Sequence, residues 1–175
     1  MDIDMEAFDK AATEHQEKSR SVAAKSGLAD DSEESVRYHT VTHLLHSALR
    51  KVLGDHVHQR GSNINRERMR FDFNFERAMT KEEVAEVQGI VQDWIDDDFA
   101  VESEIVTADQ AREMGAIGLF NDKYGNEVSV YKIGDVSLEF CGGPHVKRTG
   151  EIGQFTIKKE QSSSAGVRRI RALLS

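Results

Sequence analysis

The sequence predicts an α+β fold: a mainly antiparallel β-sheet packed with helices. Three observations carry that reading. Stretches of helical period and stretches of period two are both present, yet they do not alternate as regular βαβ units. "EVSVYKI" and "VSLEF" follow one another with Gly134-Asp135 between them, a turn that ties two strands antiparallel. "GQFTIKKE" and "GVRRIRALL" then supply two more strand candidates in succession.

Met5 to about Lys25 reads as a helix rich in Ala, Glu, Lys and Gln, with thin apolar content in Phe8, Ala11, Ala12 and Val22. Gly27 stops it and Ser32 is placed to cap the next helix. Residues 1–31 therefore form a helical lead-in or linker, and 32–175 the domain proper. From about Glu33 to Leu53 the apolar residues Val41, Leu44, Leu45, Ala48, Leu49 and Val52 recur with helical period, and Gly54 ends the run. "RMRFDFNF" alternates cleanly, with Met69, Phe71, Phe73 and Phe75 on one face of a half-buried strand. Thr80 with Glu83 makes a capping box that opens a helix through about Asp98, carrying Val84, Val87, Val91, Trp94 and Ile95. "VESEIV" is a short strand, and Thr107 starts a short helix ending near Gly115.

The chain has 175 residues, 38% of them hydrophobic, which is enough for one well-buried core. No apolar run approaches the ~20 residues a membrane span needs. The acidic start "MDIDMEAFDK" lacks the apolar core of a secretion signal, which points to the cytoplasm. The net charge of −8 argues against a general nucleic-acid coat. That charge is uneven. From Cys141 to Ser175 seven Lys/Arg stand against Glu151 and Glu160, a net +5, which leaves −13 for the rest. A basic segment on an acidic body can face a phosphate backbone, or it can be a charged solvent face on two strands. Lys147, Arg148, Arg168 and Arg169 are the candidates for an RNA contact.

The stretch "EFCGGPH" holds the chain's one cysteine, Cys141, and its one proline, Pro144. A lone cysteine forms no internal disulfide, so its role is as a thiol, a thiolate or a ligand. Gly142 and Gly143 free the backbone to turn, while Pro144 fixes one φ and stiffens the return. Cys141 and His145 can thus offer a sulfur and an imidazole to one metal ion. A second pair, His39 and His43 in "HTVTH", lies at i and i+4 on the predicted helix, one turn apart on one face. Three histidines and one cysteine suit tetrahedral Zn²⁺. The pairs are roughly 100 residues apart, so tertiary structure must bring them together. Taken singly, each of these residues is also an ordinary surface or core residue.

The stretch "HTVTHLLHSALRKVLGDHVHQRGSNINRERMRFDF", followed far downstream by "CGGPHVKRTGEIGQFTI" and "SSSAGVRRIRALL", resembles the editing domain of alanyl-tRNA synthetase, the second additional domain of such enzymes. It is similar also to the free-standing AlaX-type trans-editing proteins. The resemblance runs from about Glu34 to Leu174, and "AFDKAATEHQEKSR" resembles the helical segment that precedes this domain in the full synthetase. It implies a cytoplasmic ester hydrolase acting on the acceptor end of tRNA(Ala), terminal adenosine included, when serine or glycine is wrongly attached. It implies Zn²⁺ as cofactor, with His39, His43, Cys141 and His145 at the family's metal-binding positions. Gln59 matches a position that shapes the editing pocket. One departure is Pro144, where the alanyl family most often has Thr. "GPHV" is also familiar from the threonyl-tRNA synthetase editing domain, which would make the substrate Ser-tRNA(Thr). A further alternative is a zinc-stabilised module that grips the acceptor end without chemistry.

Such a site must place a water beside an activated ester and stabilise an oxyanion. It must also recognise something serine has and alanine lacks, because synthetic sites reject hydroxylated analogues poorly. Gln59, Thr40 and Thr42 are candidates to pair with a serine hydroxyl, and His46, one turn beyond His43, is the spare residue beside the metal ligands.

Overall fold

The structure is a computed structural model that describes residues 30–118 and 127–175. The helix expected over Met5–Lys25 lies outside the described residues. The elements run α1 (Glu33–Leu53), β1 (Gln59–Ile64), β2 (Met69–Asn74), α2 (Lys81–Asp96), β3 (Val101–Thr107), α3 (Ala108–Glu113), β4 (Glu127–Ile133), β5 (Ser137–Phe140), a 3-10 turn (Thr149–Glu151), β6 (Phe155–Ser164) and β7 (Val167–Leu174). They form two antiparallel sheets, β1-β2-β7-β6 and β3-β4-β5. The α+β architecture is thus present, with its strands divided between two sheets.

Helix α1 is the centre of the fold. Ser32 caps it by accepting from the Ser35 amide at 3.3 Å, Glu33 and Glu34 sit at its positive end, and Arg50 and Lys51 at its negative end. Gly54, at φ +124°, ends it. Val41, Leu44, Leu45, Ala48 and Leu49 are fully buried against Phe71, Phe73, Phe155 and Ile170 of the four-stranded sheet and Val87 and Val91 of α2. Unlike a surface amphipath, α1 also buries a polar stripe: His39, Thr40, Thr42, His43 and His46. That stripe needs partners, because buried polar groups are costly unpaired. Helix α2 has the expected capping box, with Thr80 and Glu83 bonding each other's backbone amides at 3.1 and 2.8 Å. Thr107 and Gln110 form a second such box at α3.

Three elements differ from the sequence reading. β1, "QRGSNI", was not anticipated: Ile64 is its one fully buried side chain, and its pairing with β2 rather than its own pattern makes it a strand. The β4–β5 turn takes in Val136 as well as Gly134 and Asp135, with the Val136 amide donating to the Ile133 carbonyl at 3.1 Å. Gly134, at φ +47°, leaves space for the Phe99 ring, which a Cβ there would meet at 2.7 Å. Third, β5 buries its polar side fully and its apolar side only in part, which the strand pattern alone does not set. Leu138 and Phe140 pack on a small second core of Val106, Ala111, Ala116, Val128 and Val130, while Ser137 and Glu139 are buried on the other side. No helix among the described residues is long and apolar enough to cross a membrane.

Candidate metal centre

The donor atoms of His39, His43, Cys141 and His145 all lie within 4.8 Å of one another. The helix supplies one half. At i and i+4 the two rings stand on the same side of α1 with centroids 5.3 Å apart. The loop after β5 supplies the other half and brings Cys141 Sγ to 3.2 Å from His39 Nε2, and His145 Nε2 to 2.7 Å from His43 Nε2. The Cys141 amide donates to the Ser129 carbonyl at 3.1 Å, and the Val146 amide donates to Thr40 Oγ1 at 3.0 Å. Thr149 holds the following turn, donating to the Trp94 carbonyl and accepting from the Phe99 amide, both at 2.8 Å. Neither Gly142 nor Gly143 takes a positive φ, so the loop does not use the conformations reserved for glycine.

Each helix histidine is oriented through its far nitrogen. His39 Nδ1 donates to the Pro144 carbonyl at 2.9 Å, leaving Nε2 to face the cluster. His43 Nδ1 donates to Glu139 Oε2 at 2.6 Å, so its Nε2 also points inward. The other oxygen of Glu139 accepts from His46 Nδ1 at 2.8 Å. A carboxylate behind a histidine is the arrangement that fixes tautomer and orientation in metal sites. No role for Glu139 follows from the sequence, where its spacing from Cys141 is the one hint of it. It lies two residues before Cys141, hence on the same side of an extended chain. His46, the spare residue one turn beyond His43, braces the carboxylate that braces His43. Its Nε2 is buried without a hydrogen-bond partner, and its ring lies 5.7 Å from that of Phe71.

The charges suit a cation. Burial opposes ionisation of the Cys141 thiol, but the imidazoles of His145, His39 and His43 outweigh it and hold the pKa down to about 3, so the sulfur is a thiolate at neutral pH. Burial lowers His145 to about 4, with His43 and His39 adding to the effect against the opposing bond to Cys141, so this ring is neutral. Burial also pushes His43 toward the neutral form, but the Glu139 carboxylate prevails and raises its pKa. Two imidazole lone pairs approach to 2.7 Å only with a proton or a cation between them. Around Zn²⁺ with bonds of about 2.0–2.3 Å, tetrahedral donors stand roughly 3.3–3.6 Å apart. The separations here bracket that range, and the donor set of one thiolate and three imidazoles fits the ion.

The remaining expected residues scatter. Thr42 is buried and its hydroxyl donates to the Tyr38 carbonyl within the helix at 2.8 Å. Thr40 donates to the Val36 carbonyl and accepts from Val146, so its hydroxyl is used in both directions. Gln59 opens β1 opposite Phe73, half-buried, with no hydrogen bond from its side-chain amide among the described residues. Lys147 is exposed on the rim of a cleft of about 300 Å³ whose wall includes His145, Glu33, Arg37 and Glu151. Arg148 pairs with Asp98 at 2.8 Å. Arg168 is engaged by Glu160, and Arg169 holds Asp72 with two bonds of 2.8 and 3.0 Å.

The pattern of the family described as threonyl and alanyl tRNA synthetase second additional domain matches residues 128–171, from β4 into β7. The alanine–tRNA ligase of Treponema denticola is 55% identical over 98% of this chain. The chain belongs to the alanyl-type second additional domains. The alanine–tRNA ligases of Treponema pallidum and Borreliella afzelii are similar at 53% and 51% identity over 98% and 99% of the chain. This domain spans 29% of the Treponema denticola ligase's length, and 29% and 30% of the other two. The matched stretch contains Glu139, Cys141 and His145, while His39 and His43 come from the helix outside it.

Proposed function

We propose that this domain is a cytoplasmic aminoacyl-tRNA deacylase that hydrolyses the ester of serine or glycine wrongly attached to tRNA(Ala). The observation that supports it best is the convergence of four metal-type donors, two of them fixed through their far nitrogens, and one of the four, His145, also lines a cleft. His39, His43, Cys141 and His145 would hold Zn²⁺, which when bound supplies either a Lewis acid for the ester or a shell that locks the Cys141–His145 loop onto α1. The cleft gives the terminal adenosine a place beside His145. Lys147 on its rim offers a charge to an acceptor-end phosphate, with Arg148 next to it. Gln59 reads the serine hydroxyl in this proposal. Of the three candidates, Thr40 both donates to and accepts from the backbone, Thr42 spends its proton within the helix and keeps only lone pairs, and Gln59 keeps both the donors and the acceptor of its amide for a substrate. A site that hydrogen-bonds a hydroxyl disfavours the analogue lacking it, because its own polar group is then left unpaired.

The test is incubation with Ser-tRNA(Ala), Gly-tRNA(Ala) and Ala-tRNA(Ala), following loss of the ester. The expected outcome is hydrolysis of the first two with the alanyl ester largely spared. Equal hydrolysis of all three overturns the sieve. Tight binding with no hydrolysis of any overturns the enzyme and leaves a binding module.

A further inference from the structure

The two faces of the four-stranded sheet have opposite characters. Phe71, Phe73, Ile170 and Ala172 point toward α1 and are buried. Side chains alternate along a strand, so Arg70, Asp72, Arg169 and Arg171 point the other way. The register then places like charges side by side. Lys159 of β6 stands directly opposite Arg171 of β7, and Arg171 directly opposite Arg70 of β2. Three cations thus form one row across three adjacent strands, over two inter-strand steps of about 4.8 Å each. The neighbouring row, Gln161, Arg169 and Asp72, adds a fourth cation and the one carboxylate found among the strand residues of this face.

Such a row is unfavourable by itself, since like charges directly opposite one another destabilise a sheet. Asp72 offsets it only at the Arg70 end and shares its one charge between Arg70 and Arg169. Its oxygens are taken by Arg169 at 2.8 and 3.0 Å, and Arg70 Nε is left 3.9 Å away, buried and without a hydrogen-bond partner. Lys159 and Arg171 are exposed and have no acidic partner among the described residues. A chain with net charge −8 has carboxylates in plenty, yet among the described strand residues Asp72 is the one placed on this face, and none pairs with Lys159 or Arg171. A local choice that conflicts with stability marks a functional surface.

We propose that the outer face of this sheet, centred on Lys159, Arg171 and Arg70, is a docking surface for an RNA phosphate backbone. The proposal rests on the tRNA reading above and adds a contact remote from the donor cluster, on the side of the sheet away from α1. A row of cations meets RNA first through its phosphates, which position the molecule rather than report its sequence. Arg169 belongs to the structure of this face: it neutralises the buried Asp72 and holds β2 to β7.

The test uses the full chain, uncharged tRNA(Ala) and the double variant Lys159→Gln/Arg171→Gln, with Lys81→Gln on α2 as control. Equilibrium binding is followed against NaCl concentration. The double variant should bind about tenfold more weakly at low salt and lose up to about 1.8 from the slope of log K against log salt, the share of two phosphate contacts. It should also melt at a higher temperature than the parent, because a repulsive row has been relieved. With Ser-tRNA(Ala), KM should rise and kcat stay unchanged. Unchanged affinity and slope overturn the docking surface, and so does a variant that binds weakly only because it melts lower. If Ser-tRNA(Ala) is never hydrolysed while the double variant still loses affinity and slope, the surface stands and the hydrolase reading falls.

Discussion

His39 and His43 stand on a 21-residue helix capped at Ser32 and buried along its middle, whereas Cys141 and His145 sit in a loop with no regular structure of its own. The spacing of the first pair is fixed by local geometry: i and i+4 face the same way whenever the helix forms. The second pair is fixed by tertiary bonds, and those nearest the donors end on the helix. Pro144 accepts from His39, Val146 donates to Thr40, and Glu139 just before the loop holds His43. The loop depends on the helix more than the helix depends on the loop. A cation shared by both halves should therefore matter chiefly to the loop, and losing it should loosen residues 141–148 while α1 survives.

The strongest way to break this asymmetry is to remove one donor from each side. Cys141→Ala and His43→Ala should each weaken Zn²⁺ binding by more than about 100-fold, beyond what loss of a supporting partner costs. Both should abolish hydrolysis of Ser-tRNA(Ala). The helical circular dichroism should persist in Cys141→Ala, and amide exchange should accelerate at 141–148 before it does in α1. Loss of α1 protection first would show that the loop is the organising half.

Glu139 sharpens the comparison, because it reaches from the loop side to the helix side. Glu139→Gln keeps an acceptor for one histidine but loses the charge that His43 and His46 share. Metal affinity should fall about 10–100-fold, with the fold retained. Glu139→Ala leaves both Nδ1 atoms buried and unpaired and should also destabilise the protein. A Glu139→Gln variant that binds Zn²⁺ as tightly as the parent would mean that the carboxylate only fills space.

The same contrast explains what could be read from the sequence. α1 and α2 were legible because an apolar period of 3.6 is bounded by explicit caps, Ser32 and the Thr80–Glu83 box. Met69, Phe71 and Phe73 were legible as one face of a strand. The four donors were visible as two pairs, but only the family resemblance joined them across a hundred residues. β1 was not legible, since a polar strand with one buried apolar side chain takes its form from its neighbour. Glu139 was hidden by its own strand: in "SLEF" the apolar Leu138 and Phe140 announce the buried face, so the polar residues between them read as solvent-exposed. The structure buries the Glu139 side because it faces His43 and His46 of α1.

The smallest expected effect tests the tether itself. Thr40 and Thr42 are both buried on α1, two residues apart, and each hydroxyl bonds a backbone carbonyl one turn earlier. They differ in one bond. Thr40 Oγ1 also accepts from the Val146 amide across 106 positions of sequence, while the hydroxyl bond of Thr42 stays within the helix. Valine is close to isosteric with threonine, so Thr40→Val removes the tether and leaves the Val146 N–H without its acceptor. Thr42→Val removes a bond to a carbonyl already placed in the helix ladder. Thr40→Val should therefore cost about 1 kcal/mol more than Thr42→Val, a difference of about 2–4 °C in Tm for a domain of this size. It should also speed amide exchange at Val146 and Lys147 without changing exchange in α1. Equal costs for the two variants, or exchange accelerated in the helix instead, would show that the loop is held by its own conformation, and the dependence of one half on the other would have to be abandoned.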